Sequence, residues 1–178
     1  MDFTLDTART EDLLPELRAA IVSLCISAHQ EDSFNELFAH IPTGGRHFLS
    51  YLGSRLIGHA VVTTRWAQPD GLLVLRTAYV DAVSVAPDAQ GRGYGSRLMR
   101  FLAAGISDYE VACLESDRPA FYCRLGWEEW RGPLAGRRGD MLVPTPEQKG
   151  VMILRLPLTP ALDLDRGLSI EHQGGRIW

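Results

Sequence analysis

A strand that runs into a loop of alternating glycines and straight on into a helix constrains this chain more than any other feature. The stretch reads Tyr79-Val80-Asp81-Ala82-Val83-Ser84-Val85-Ala86-Pro87, then Gln90-Gly91-Arg92-Gly93-Tyr94-Gly95. Glycine lets the backbone approach a ligand closely and adopt positive φ. N–H groups at a helix start, with the helix dipole behind them, form an anion site. Arg92 and Arg97 are candidates for charge-assisted contacts to phosphate oxygens. A P-loop would close on Gly-Lys-Ser/Thr, which is missing here, and a dinucleotide fingerprint would place its third glycine one position later. Glu110 falls near the distance of that fingerprint's acidic residue, but at a strand start. Taken alone, the loop leaves open a glycine-rich turn with no ligand.

The flanking pattern predicts a mixed α/β sheet. Phe3–Ala8 alternates as a short strand. Leu13, Leu17, Ala20, Ile21, Leu24 and Cys25 follow helical spacing, with Thr10 or Asp12 as the expected cap. A shorter helix is expected over Phe34–His40, ended by Pro42 and Gly44-Gly45. Strands follow at His47–Leu52 and Leu56–Thr64 around a Gly53-Ser54 hairpin, then at Leu73–Val85 after the Pro69-Asp70-Gly71 turn. A helix is expected at Gly95–Ala104, a buried strand at Val111–Leu114, and a helix at Pro119–Leu125 capped by Gly126. Val151–Leu156 reads as the last strand and Asp163–Trp178 as an irregular, mostly polar tail.

Composition then excludes several classes. At 178 residues the chain fits one domain, residues 1–178, with a full core. A formal net charge of −4 gives no basic field for nucleic acid or anionic lipid. Cys25, Cys113 and Cys123 form no CxxC pair, and His29, His40, His47, His59 and His172 show no ligand spacing, so neither a disulfide framework nor a metal is expected. The opening Met1-Asp2-Phe3-Thr4 is acidic where a signal peptide is basic, and no run approaches the roughly 20 apolar residues of a membrane span. A cytoplasmic location is expected.

Gln90-x-x-Gly93-x-Gly95 resembles the pyrophosphate loop of GNAT-superfamily N-acetyltransferases, and Val80–Val85 resembles that superfamily's central strand. Phe121-Tyr122-Cys123-Arg124-Leu125-Gly126-Trp127 resembles its second signature, and the resemblance runs from Arg46 to Trp127. It implies a mixed central sheet splayed between two parallel strands and flanked by helices, with acetyl-CoA as cosubstrate and no metal. The cofactor-binding positions it implies are Val83, Val85, Gln90, Gly91, Arg92, Gly93, Tyr94, Gly95 and Ser96. Pantetheine would pair with Val83 and Val85 as an added strand, and the Val83 N–H would face the thioester carbonyl. The resemblance also makes Tyr122 the general acid towards the leaving thiolate; the alternative for Tyr122 is a helix tyrosine packed against Trp127. Asp81 stands where relatives often carry a glutamate base, one methylene longer, so a bridging water is expected; a solvated strand-end carboxylate is the competing role. Nothing near Cys123 resembles an activating pair, so direct attack is expected over an acyl-cysteine.

A finer resemblance is to aminoglycoside 2′-N-acetyltransferases. Phe38-Ala39-His40 with Gly44-Gly45-x-His47, then Tyr79-Val80-Asp81, then the ending Gly174-Gly175-Arg176-Ile177-Trp178 carry it. It implies a small-molecule aminoglycoside acceptor held by Asp32, Asp81, Glu171, Arg176 and Trp178, with the tail 163–178 completing the acceptor site. Leu37 occupies a usually acidic position, Arg176 stands where an aspartate is usual, and Gln148 or Lys149 falls in another acidic stretch. Such charge changes favour an aminoglycoside with fewer amines and its own carboxylate; kasugamycin is one, and Arg176 or Lys149 would pair with that group. A protein N-terminus, a small metabolic amine, or a non-catalytic acyl-CoA-binding role are the competing readings. Homodimers are common in such proteins, and no patch in the sequence demands one.

Overall fold

The computed structural model describes residues 2–173 and 177–178. The chain folds as two compact units, one of residues 1–63 and 80–105, the other of residues 64–79 and 106–178.

In the first unit, β1 (Phe3–Arg9) leads through a 3-10 turn at Thr10–Asp12 into α1 (Pro15–His29). The expected cap at Thr10 or Asp12 is not used. Leu14 is the N-cap, with no side-chain bond, and Pro15 starts the helix, where its missing N–H costs nothing. Thr10 instead turns its hydroxyl inward, 3.1 Å from His47 Nε2. The helix expected at Phe34–His40 splits into a 3-10 turn, Asp32–Glu36, and α2 (Leu37–His40). β2 (Arg46–Leu52) pairs antiparallel with β1 and with β3 (Arg55–Pro69) through the Gly53-Ser54 turn, where Gly53 has φ 60°. β4 (Leu75–Val85) contributes its end from Val80, and α3 (Tyr94–Gly105) buries Leu98, Met99 and Leu102. Those three side chains share one face at i, i+1 and i+4. Each is worth roughly 1.5–3 kcal/mol on full burial. A cluster of Ile21, Cys25, Leu49, Val61 and Ala82 joins α1 to the strands.

In the second unit the strand order is β6-β9-β5-β4-β3-β10-β7-β8, with β5 at Val111–Glu115, α4 at Pro119–Cys123, β6 at Glu128–Glu129, β7 at Leu134–Arg138, β8 at Met141–Pro144, β9 at Val151–Arg155 and β10 at Leu168–Glu171. Within this unit β4 and β5 run parallel, from Thr77↔Val111 to Tyr79↔Cys113. Beyond that point Leu114 and Glu115 pair with β9. The fold is mixed α/β, as expected.

Two tail expectations are corrected. β9 is not the last strand, because β10 lies within the tail, parallel to β7 and antiparallel to β3. Leu-Ser-Ile-Glu is too short to show a period, and its extended form is set by the ladders on both sides. The helix of the second signature stops at Cys123 rather than Leu125, since the Leu125 N–H bonds back to the Tyr122 carbonyl in a tight turn. Tyr79, Val111, Trp130, Leu164, Ile170 and Trp178 belong to this unit's core. No helix of the described residues is long and apolar enough to cross a membrane.

Candidate active site

The glycine loop lies wholly in the first unit. The Ala86 N–H bonds to Ile57 O, and the 3-10 turn Pro87–Ala89 follows. Arg55 clamps that turn through two bonds to Asp88, at 2.7 and 2.8 Å, and this holds the Asp88 carboxyl below its ordinary range. Gln90 donates its side-chain amide to Val85 O at 3.0 Å, tying loop to strand end. Gly91 and Gly93 have φ of 72° and 81°, which an L side chain resists, and a Cβ at either would meet no atom within 4 Å. Arg97 N–H is bonded to Gly93 O at the helix start, so the N–H groups of Tyr94, Gly95 and Ser96 precede the helix's own ladder. Those donors and the open glycine surface fit a pyrophosphate. Arg92 is exposed, whereas the Arg97 guanidinium lies 3.8 Å over the Phe3 ring, on which Tyr94 also stacks.

Upstream of the loop, β4 is distorted. Ala82 has φ 51°, its N–H donates to Asp81 Oδ1 at 2.7 Å, and its carbonyl lies 3.0 Å from His59 Nδ1. The Val83 carbonyl lies 3.2 Å from His29 Nε2. Asp81 is half-buried, and Asp32 is exposed at the start of its 3-10 turn. Leu37 is buried in the core, which explains an apolar residue there.

In the second unit Tyr122 is 6% exposed on α4, edge-on to Phe121 and Trp127 at 4.9 and 5.9 Å between ring centres. The packing alternative for this side chain is therefore met, and a proton-transfer role is compatible with it. Cys123 is exposed, while Cys25 and Cys113 are buried with their thiols pushed up by burial to about 11 and about 12. A cavity of about 750 Å³ is walled by Glu115, Asp117, Glu129 and Glu147, with Lys149 the one basic side chain on its lining. Trp178 is 3% exposed and donates its indole N–H to Thr145 Oγ1, another wall residue, at 3.1 Å. The Glu171 carboxylate accepts from Trp66 N–H at 2.7 Å and faces buried Arg65 at 3.4 Å, so it is engaged within the unit. Arg176 lies outside the described residues.

Sequence reasoning missed the cavity's acids and the role of the histidines on β2 and β3. Glu115 and Asp117, just past an apolar run, were a readable signal for a strand-end acidic pair; Glu129 and Glu147 carried none. Among the described residues no group of His, Cys, Asp or Glu could hold a metal ion.

Residues 43–129 match the acetyltransferase (GNAT) domain family. The chain is 28% identical, over 98% of its length and 93% of the relative's, to an aminoglycoside 2′-N-acetyltransferase of Mycolicibacterium fortuitum. Among solved structures, the GNAT-family N-acetyltransferase YhbS of Escherichia coli in complex with CoA superposes with a TM-score of 0.64 over 97% of this chain and 92% of that one, at 15% identity. A GCN5-related N-acetyltransferase of Kribbella flavida matches 74% of this chain with a TM-score of 0.58 and 20% identity, and there the chain spans 34% of the larger protein.

Proposed function

We propose, on the match of residues 43–129 to the acetyltransferase (GNAT) domain family and the likeness of the chain to an aminoglycoside 2′-N-acetyltransferase, that it is an N-acetyltransferase and acetylates an amine of an aminoglycoside. Acetyl-CoA supplies the acetyl group as an activated thioester. The loop Gln90–Ser96 grips pyrophosphate through its backbone N–H groups and Arg92. Val83 and Val85 pair with the pantetheine arm, and the Val83 N–H donates where negative charge develops on the carbonyl oxygen. Asp81 takes the amine proton through water, and Tyr122 gives a proton to the departing sulfur. The reaction is direct attack. It runs in the cytoplasm, in a single domain of residues 1–178, with or without dimerisation.

One observation carries the acceptor: the cavity with four carboxylates and one lysine. Four acids attract ammonium groups, while Lys149 offers a site for an anionic group. An amino sugar bearing amines and a carboxylate suits both, as kasugamycin does, with Lys149 or Arg176 on the carboxylate and Asp32 and Trp178 as further acceptor positions. The test is thiol release from acetyl-CoA with kasugamycin, gentamicin, tobramycin and an N-terminal peptide in parallel. Fastest release is expected with kasugamycin. Faster release with gentamicin or tobramycin keeps the aminoglycoside and removes the carboxylate pairing. Release with the peptide alone overturns the aminoglycoside reading.

A further inference from the structure

We infer that His59, held in turn by His47, is the positioning residue of the β4 distortion: it fixes Ala82 and thereby the direction of the Val83 N–H. The inference rests on the reading of Val83 as the donor to the reacting carbonyl.

Among the described residues only Gln30 and Ala82 adopt positive φ without being glycine. Gln30 closes α1, where a left-handed residue is usual. Ala82 sits mid-strand, where the same conformation costs on the order of 1–2 kcal/mol and persists only if its surroundings hold it. Both its polar groups are held by side chains: the N–H by Asp81, the carbonyl by His59 Nδ1 at 3.0 Å and Ser84 Oγ at 3.3 Å.

The bonding fixes every proton. A carbonyl only accepts, so His59 carries its hydrogen on Nδ1, and its Nε2 is left as an acceptor. His47 Nδ1, 2.9 Å away, must then donate to it. The Thr10 hydroxyl lies 3.1 Å from His47 Nε2 and 3.2 Å from Gly45 O; Gly45 O also accepts the Thr10 N–H at 2.8 Å, so the hydroxyl hydrogen goes to His47 Nε2. The result is a one-way chain from Thr10 through His47 and His59 to Ala82, spanning β2, β3 and β4. Both imidazoles are 0% exposed. Burial pushes them down, to about 4 for His47 and about 3 for His59, which keeps both neutral and the chain intact. His29 Nε2 lies 3.2 Å from the next carbonyl, that of Val83, and 3.1 Å from Ser84 Oγ.

Two substitutions separate positioning from filling space. His59→Asn places an amide nitrogen where Nδ1 stands and keeps the bond to Ala82; His59→Gln places an amide oxygen where Nε2 stands and keeps only the bond accepted from His47. The readouts are kcat, the acetyl-CoA KM, the melting temperature and the amide resonance of Val83. Expected are a kcat within about threefold of the natural enzyme for Asn and a fall of about 10²-fold for Gln, with KM little changed. The Val83 resonance should move only for Gln. Adding Ala82→Gly to the Gln variant relieves the backbone strain and should recover much of the loss; the double variant also serves if Gln alone does not fold. Equal losses in Asn and Gln that follow their melting temperatures, or a Val83 resonance unmoved by Gln, overturn the inference. Natural protein that turns over no amine defeats the proposed function instead, and the resonance comparison still decides the positioning.

Discussion

The polar side chains of the first unit and those of the second solve opposite problems. Around Ala82 the imidazoles of His47 and His59 are buried and neutral, and their partners stand at hydrogen-bond distance. Around the second unit's cavity Glu115, Asp117, Glu129 and Glu147 outnumber Lys149 and gather on an open wall. A neutral buried chain sets a direction and is indifferent to salt. An excess of carboxylates sets no direction but attracts cations over a distance near the Debye length, about 8 Å at physiological ionic strength. On the proposed reading, placing the reacting groups and collecting the acceptor are thus carried by different physics, and the two can be perturbed separately.

Tyr122 offers the sharpest break, because it belongs to the second unit yet is as buried as the first unit's network. Tyr122→Phe keeps the edge-on packing on Trp127 and removes only the hydroxyl. A general acid contributes on the order of 10²–10⁴ to rate, so kcat should fall by about that much, with acceptor KM unchanged and the melting temperature near that of the natural protein. A loss of stability with little loss of kcat would return Tyr122 to the packing role.

Acid tests the other side of the comparison. His47 and His59 have folded pKa values depressed from 6.5 to about 4 and about 3, His47 by burial and then Arg18, His59 by burial and then His47. The unfolded chain therefore binds more protons between those values and 6.5. Stability is complete above 6.5 and is lost as pH falls towards the folded values. Between about pH 7 and about pH 5 the loss should be on the order of 2 kcal/mol or more, read from urea midpoints. His59→Asn, which cannot ionise, should flatten that slope. Carboxylates held low by partners, such as Asp88 and Asp165, add their loss only below the ordinary carboxylate range, so the window near pH 5–7 belongs to histidine. An unchanged slope in His59→Asn would remove the neutral pair.

What was legible follows the same division. Gly91 and Gly93 announced themselves because only glycine takes their φ without strain, and the apolar runs of β4 and β5 announced the parallel strands. Thr10 misled as a helix cap because its hydroxyl answers to His47, 37 positions away. β10 was hidden because four residues carry no period and its two ladders come from distant chain. His47 and His59 looked like isolated histidines; adjacency across an antiparallel pair with a register shift between Ser50 and Tyr51 makes them one device. The cavity's acids come from β5, β6 and the segment before β9, and no local spacing links them.

The smallest expected effect probes the one positive charge among those acids. Lys149→Gln removes the cation from the cavity wall and leaves its four carboxylates in place. Exposed charge pairs are worth roughly 0.2–1 kcal/mol, so the kasugamycin KM should rise about two- to fivefold. KM for gentamicin should fall slightly, because a like charge facing its ammonium groups is gone. Glu147→Gln should do the reverse, and both changes should shrink as salt is raised. If Lys149→Gln shifts both acceptors in the same direction, the lysine shapes the wall rather than reading charge, and the acceptor's carboxylate must be sought at Arg176.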